Sequence, residues 1–166
     1  MGDGAALADR IAERRAGVGD PRALVGELRR ALVLVPFDRG GLWTAEFGGI
    51  RWVCGFTDEA ALARFAAERA VVEGAGAASR SWEYAVFRGA RLLDEVIPAM
   101  GVPAGVAVNV ADPDGSMLFP PVVGIVPDAV AVDADVPGGG SSGERYGGGR
   151  PQRRSGQCSA DHQRAA

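Results

Sequence analysis

Leu42-Trp43-Thr44-Ala45-Glu46-Phe47-Gly48-Gly49-Ile50-Arg51-Trp52-Val53-Cys54-Gly55-Phe56 reads as a β-hairpin turned by Gly48-Gly49. Two glycines between alternating apolar residues supply the left-handed backbone that a two-residue loop needs. Folding about that loop predicts Phe47 opposite Ile50, Ala45 opposite Trp52 and Trp43 opposite Cys54 on one face, with Glu46 opposite Arg51 on the other. One face is then an apolar wall and the other carries an ion pair. The wall takes two of the three tryptophans and, ahead of residue 137, the one cysteine, so the most distinctive side chains are committed to packing.

Working outward, Asp20-Pro21 marks a helix start, a carboxylate cap followed by a proline that forfeits no needed N–H. Leu24, Val25 and Leu28 form its apolar stripe, and Ala31 to Phe37 follows as a buried strand. Residues 1–19 read as a weakly ordered helix with Leu7 and Ile11 on one side, expected to fray. Beyond the hairpin, Thr57 is the expected N-cap of a helix whose Leu62, Phe65 and Ala66 pack on the tryptophan face. Residues 74–81 read as a small-residue loop. Trp82 to Phe87 and Gly105 to Val110 read as strands, Arg91 to Ile97 as a short helix with Leu92, Leu93, Val96 and Ile97 inward, and 117–126 and 129–133 as extended pieces. Asp112-Pro113-Asp114-Gly115 is a turn. Residues 137–166, rich in glycine and arginine, lack the apolar content to offset ordering entropy and are expected to be disordered. The fold class expected is α+β: a single domain over residues 20–136, with a mixed, mostly antiparallel sheet and helices packed chiefly on one face.

Composition narrows the function classes. All 18 basic residues are arginine, which together with abundant Ala, Gly and Val suggests a GC-rich coding sequence and weakens arginine as a sign of phosphate recognition. Residues 1–136 hold 13 Arg against 19 acids, a net −6, and residues 137–166 hold 5 Arg against 2 acids, a net +3. An acidic body disfavours nucleic acid as a partner. No apolar run approaches the ~18 to 20 residues of a membrane span, and the first residues lack a signal-peptide core, so the expected location is the cytoplasm.

No residue pattern points to catalysis, a cofactor or a metal. Cys54, facing Trp43 with no histidine in the body, reads as a buried core thiol, and the one histidine, His162, lies in the tail with Cys158. Asp112-x-Asp114-Gly115 begins like a calcium loop, yet Val123 stands where the closing glutamate belongs. Gly74-x-Gly76 does not link a strand to a helix, and without lysine there is no P-loop. Asp94 and Glu95 are helix neighbours that cannot face each other as acid and base. Arg145, Arg150, Arg153 and Arg154 read as solvated charge. Trp43, Trp52 and Trp82 are core residues first, and otherwise the candidate interaction surface on a sheet face left open.

With the hairpin, the junction Phe56-Thr57-Asp58-Glu59-Ala60 and the stretch Val106-Ala107-Val108-Asn109-Val110-Ala111-Asp112-Pro113, the chain resembles the SseB-like family, named for enhanced serine sensitivity, over roughly residues 20–136. The likeness is to the N-terminal domain and the shorter actinobacterial members. It implies a compact α/β domain with no catalytic residues to carry over. The leading expectation is a non-enzymatic cytoplasmic module that binds an unknown protein partner. The alternatives are a small-molecule-binding protein or enzyme linked to amino-acid (serine) metabolism, and a secretion-associated protein. The tail departs from the family pattern, and an out-of-frame reading of a GC-rich gene would produce similar text.

Overall fold

A computed structural model of the chain describes residues 3–74 and 82–134. The expectations for most of the 74–81 loop and for the tail, with Cys158, His162 and the four tail arginines, lie outside the described residues. In chain order the elements are α1 (Asp3–Arg15), α2 (Pro21–Arg30), β1 (Leu32–Asp38), β2 (Gly41–Leu42), β3 (Thr44–Phe47), β4 (Ile50–Gly55), α3 (Glu59–Glu73) and β5 (Tyr84–Arg88). There follow α4 (Gly89–Arg91), a π turn (Leu92–Val96), α5 (Ile97–Ala99), β6 (Ala104–Val108), β7 (Met117–Phe119) and a 3-10 turn (Asp128–Val130). Together they form an α+β domain.

The hairpin forms in the expected register, Phe47 with Ile50, Glu46 with Arg51 and Ala45 with Trp52, about Gly48 (φ 62°) and Gly49 (φ 76°). A left-handed pair of this kind matches the twist of the flanking strands, and any side chain at either position would be strained. Arg51 reaches Glu46 at 2.7 Å on the opposite face, as expected. Three details differ. Phe47 is 74% exposed, because the loop carries it past the end of the wall. Trp43 does not pair with Cys54: the ladder stops at Thr44 with Val53, and the Trp43 amide donates instead to Pro36 of β1 at 2.8 Å. Finally, the face expected to carry only the ion pair is itself buried beyond it, since Val53 is fully enclosed.

Two sheets result, β2-β1-β5 and β3-β4-β6-β7, joined where Leu34 exchanges backbone bonds with Phe56 at 2.8 Å. The named strands pair antiparallel except β4 with β6, which is parallel from Arg51 with Ala104 to Gly55 with Val108. A parallel strand has to be covered on both faces, and here it is. Against one face lie α1, α2 and the α4 to α5 stretch, whose Leu7, Ile11, Leu24, Leu28, Leu92 and Ile97 join Val33, Val53 and Val106 in the larger core. Against the other, among the described residues, lies α3. The π turn, closed by the Ile97 amide on the Leu92 carbonyl, brings two residues five apart to the same core face.

Asp20 caps α2 as expected, accepting from the Arg22 amide at 3.0 Å with Pro21 in the first turn. Four other local expectations need correction. The frayed helix over 1–19 is instead a packed α1, with Leu7 and Ile11 fully buried and Arg15 donating to the Pro113 carbonyl at 2.7 Å. Thr57 does not cap α3. Asp58 does, accepting from the Ala61 amide at 2.7 Å, while Thr57 is buried against Asn109. Val110 lies beyond the end of β6 and is exposed, and 129–133 contributes to a 3-10 turn rather than an extended piece.

Candidate functional site

The tryptophan face is built by alternation along β4, which sends Trp52, Cys54 and Phe56 toward α3. From α3, Ala61, Leu62 and Phe65 descend onto them at helical spacing. Phe65 is the hub, edge-on to Trp43 at 4.8 Å, tilted against Phe56 at 5.0 Å and edge-on to Trp82 at 5.3 Å between ring centres. Arg69 rests its guanidinium over Trp43 at 5.6 Å, a cation–π contact that closes the outer side. Trp52 lies over Gly105 of β6, where a Cβ would stand 2.8 Å from the indole and 2.6 Å from the Phe119 carbonyl, so only glycine admits the ring. The Trp52 indole N–H is satisfied by the Phe47 carbonyl at 3.2 Å. The three tryptophans named as candidates are thus gathered into one cluster under α3, with Trp52 buried and Trp43 and Trp82 half-buried.

Cys54 is 1% exposed, and burial alone pushes its thiol up to about 12. A thiol held protonated by an apolar wall is a poor nucleophile. In a Cys158→Ser variant, Cys54 is therefore expected to resist alkylation at pH 8 in the folded protein and to react fully in denaturant, as read by intact mass. Because the thiol ionises more readily when unfolded than when folded, its contribution to stability is complete below pH 9.0 and declines as pH rises from there toward about 12. The slope is at most about 1.4 kcal/mol per pH unit, and Cys54→Ala should abolish that component.

The remaining sequence candidates resolve into structural roles. Asp112 accepts from the amides of Asp114 at 3.1 Å and Gly115 at 3.0 Å and faces Arg64 at 3.4 Å, so its carboxylate is engaged in holding a turn. Asp94 pairs with Arg29 and Glu95 with Arg91 across a solvated surface. Among the described residues no group of three or more His, Cys, Asp or Glu gathers where a metal could sit, and no helix is long and apolar enough to cross a membrane.

One feature was not foreseen from the sequence. Beside the tryptophan cluster, a cleft of about 550 Å³ opens between Leu32 and Leu34 of β1, Tyr84 and Val86 of β5, and Asp58 and Glu59 at the start of α3. Leu32, Tyr84 and Val86 are exposed. The Tyr84 hydroxyl donates to Glu59 Oε1 at 2.7 Å, and that carboxylate raises the phenol above its usual range. β5 borders this cleft at the edge of its sheet, and among the described residues it pairs only with β1. The alternation of Tyr84, Val86 and Arg88 is visible in the sequence, but that no further strand among the described residues covers it depends on the whole topology.

Compared with known proteins, the chain matches no family model, no curated protein and no solved structure.

Proposed function

We propose that the protein is a non-enzymatic cytoplasmic interaction module of the SseB-like kind, and that it binds protein through β5 and the adjoining apolar cleft. The observation that supports this reading is an exposed strand edge bordered by Leu32, Tyr84 and Val86, with a carboxylate beside it. Such an edge presents main-chain donors and acceptors for affinity and an apolar strip for side-chain selection. Among the described residues no group of three or more His, Cys, Asp or Glu gathers beside the cleft to hold a metal, and the Cys54 thiol is buried and held protonated.

A photo-crosslinking residue at position 86 is expected to give discrete protein products, and one at exposed Glu68 on the outer side of α3 is expected to give none. In parallel, a metabolite library that includes serine and other amino acids should leave the melting temperature unchanged, since a specific ligand would raise it by mass action. A stabilising metabolite that the protein turns over would overturn the reading in favour of an enzyme.

A further inference from the structure

We propose that β5 pairs antiparallel with β5 of a second copy of this chain, centred on Val86, so that a two-fold axis runs through the strand edge. This rests on the interaction-module reading above and names its partner. The backbone settles which groups are available. Leu34 spends its amide and carbonyl on Phe56, so β1 turns Val33 and Val35 toward β5, where they meet Phe87 and Ala85. In an antiparallel ladder the residues between point the other way. Val86 and Tyr84 therefore aim their amides and carbonyls, and Arg88 its amide, away from β1, and among the described residues no backbone group meets them.

The strand also lacks the devices that keep edges apart. Tyr84-Ala85-Val86-Phe87-Arg88 holds no proline and no inward charge, and its central residue is an exposed valine. The five-residue strand is matched to itself. Centring on Val86 sets Val86 against Val86 of the second copy, which exchange amide-to-carbonyl bonds, and sets Tyr84 against Arg88 of that copy. The Arg88 amide then donates to the Tyr84 carbonyl across the axis, once in each direction, as an isologous interface requires. Side chains directly opposite share a face. Arg88 of the second copy therefore arrives beside the Tyr84 hydroxyl and the Glu59 carboxylate that holds it. Within its own chain Arg88 spends one nitrogen on the Arg30 carbonyl at 3.1 Å, and its other donors suit that carboxylate. Two apolar clefts, each walled by Leu32, Leu34 and Val86, then run together into one covered strip.

A pairing this short makes a concentration-dependent dimer. Sedimentation equilibrium of the full chain over a wide concentration series is expected to show the mass rising from 17.1 kDa toward twice that value. Val86→Pro removes only the outward amide and spares the bonds to β1, and Val86→Lys places like charges across the axis. Both are expected to stay monomeric at every concentration, with the circular dichroism of the parent. If V86P fails to fold, V86K carries the test alone. E59R and R88E are each expected to lose association, since either change sets like charges against each other across the axis. Mixing the two variants should restore it, because in the mixed dimer positions 59 and 88 again bring an acid to a guanidinium at both contacts. A parent that is monomeric throughout, or a dimer that survives V86K, overturns the self-pairing. Position-86 crosslinks from a monomeric parent to a different protein would overturn the self-pairing alone, whereas no crosslinked product of any kind would overturn the interaction-module reading as well.

Discussion

Phe65→Ala is expected to lower the unfolding free energy by about 3–5 kcal/mol, the range for truncating a buried aromatic, and to be among the most damaging single changes in the protein. Phe65 is 3% exposed, and its ring touches Trp43, Phe56 and Trp82 together. Its removal opens a void that cannot collapse, because the rings around it are anchored on separate elements: Trp43 between β2 and β3, Phe56 at the end of β4, Trp82 ahead of β5. Against a total near ~5–15 kcal/mol, such a loss leaves a large unfolded fraction at moderate temperature. Chemical denaturation followed by tryptophan fluorescence checks it. Since two indoles touch the deleted ring, the native emission should shift to the red even where the fold survives. Phe65→Leu, which keeps most of the volume, should cost less than half as much.

The second large effect is expected at Asn109. This residue is 3% exposed and adopts φ 50°, a left-handed conformation unusual for a residue with a side chain. Its Oδ1 accepts from the Thr57 amide at 3.0 Å, and its Nδ2 donates to the Thr57 hydroxyl at 3.0 Å. Its own amide reaches the Gly55 carbonyl at 3.0 Å, one step past the last pair of β4 with β6. Asn109→Ala leaves the Thr57 donor buried without a partner, at about 1–3 kcal/mol, and adds about 1–2 kcal/mol of left-handed strain. Asn109→Gly incurs the first cost and escapes the second, so the glycine variant should be the more stable of the two by about 1 kcal/mol. Equal stabilities would mean that the backbone is not strained there. The alanine variant should also loosen the entry to α3, seen as faster amide exchange around Thr57 and Asp58.

Where the determinants are local, the fold was legible in the chain. Gly48-Gly49 set the hairpin register, Asp20-Pro21 placed the start of α2, and the spacing of Leu62 and Phe65 aimed α3 at the tryptophans. What escaped depends on residues far apart. Thr57 and Asp58 are both good caps, and the choice falls to Asp58 because Thr57 is claimed by Asn109, 52 positions away. Leu7 and Ile11 by themselves suggest only a weakly ordered helix, yet the core that holds them is assembled from β1, α2 and the α4 to α5 stretch. Val53 and Val106 look like one half of an alternating pattern, and only the parallel pairing of their strands encloses both faces. The candidate site was half legible for the same reason. The tryptophan cluster is legible in the sequence, but the proposed surface lies at the strand edge where the order β2-β1-β5 leaves off.

The parallel contact between β4 and β6 also governs when the molecule can be completed. During synthesis the hairpin and α3 leave the ribosome early, with β4 holding one neighbour and an open flank where β6 belongs. At roughly 5–20 residues per second the missing strand follows several seconds later. Through that interval β4 offers an apolar, unpaired flank to other nascent chains.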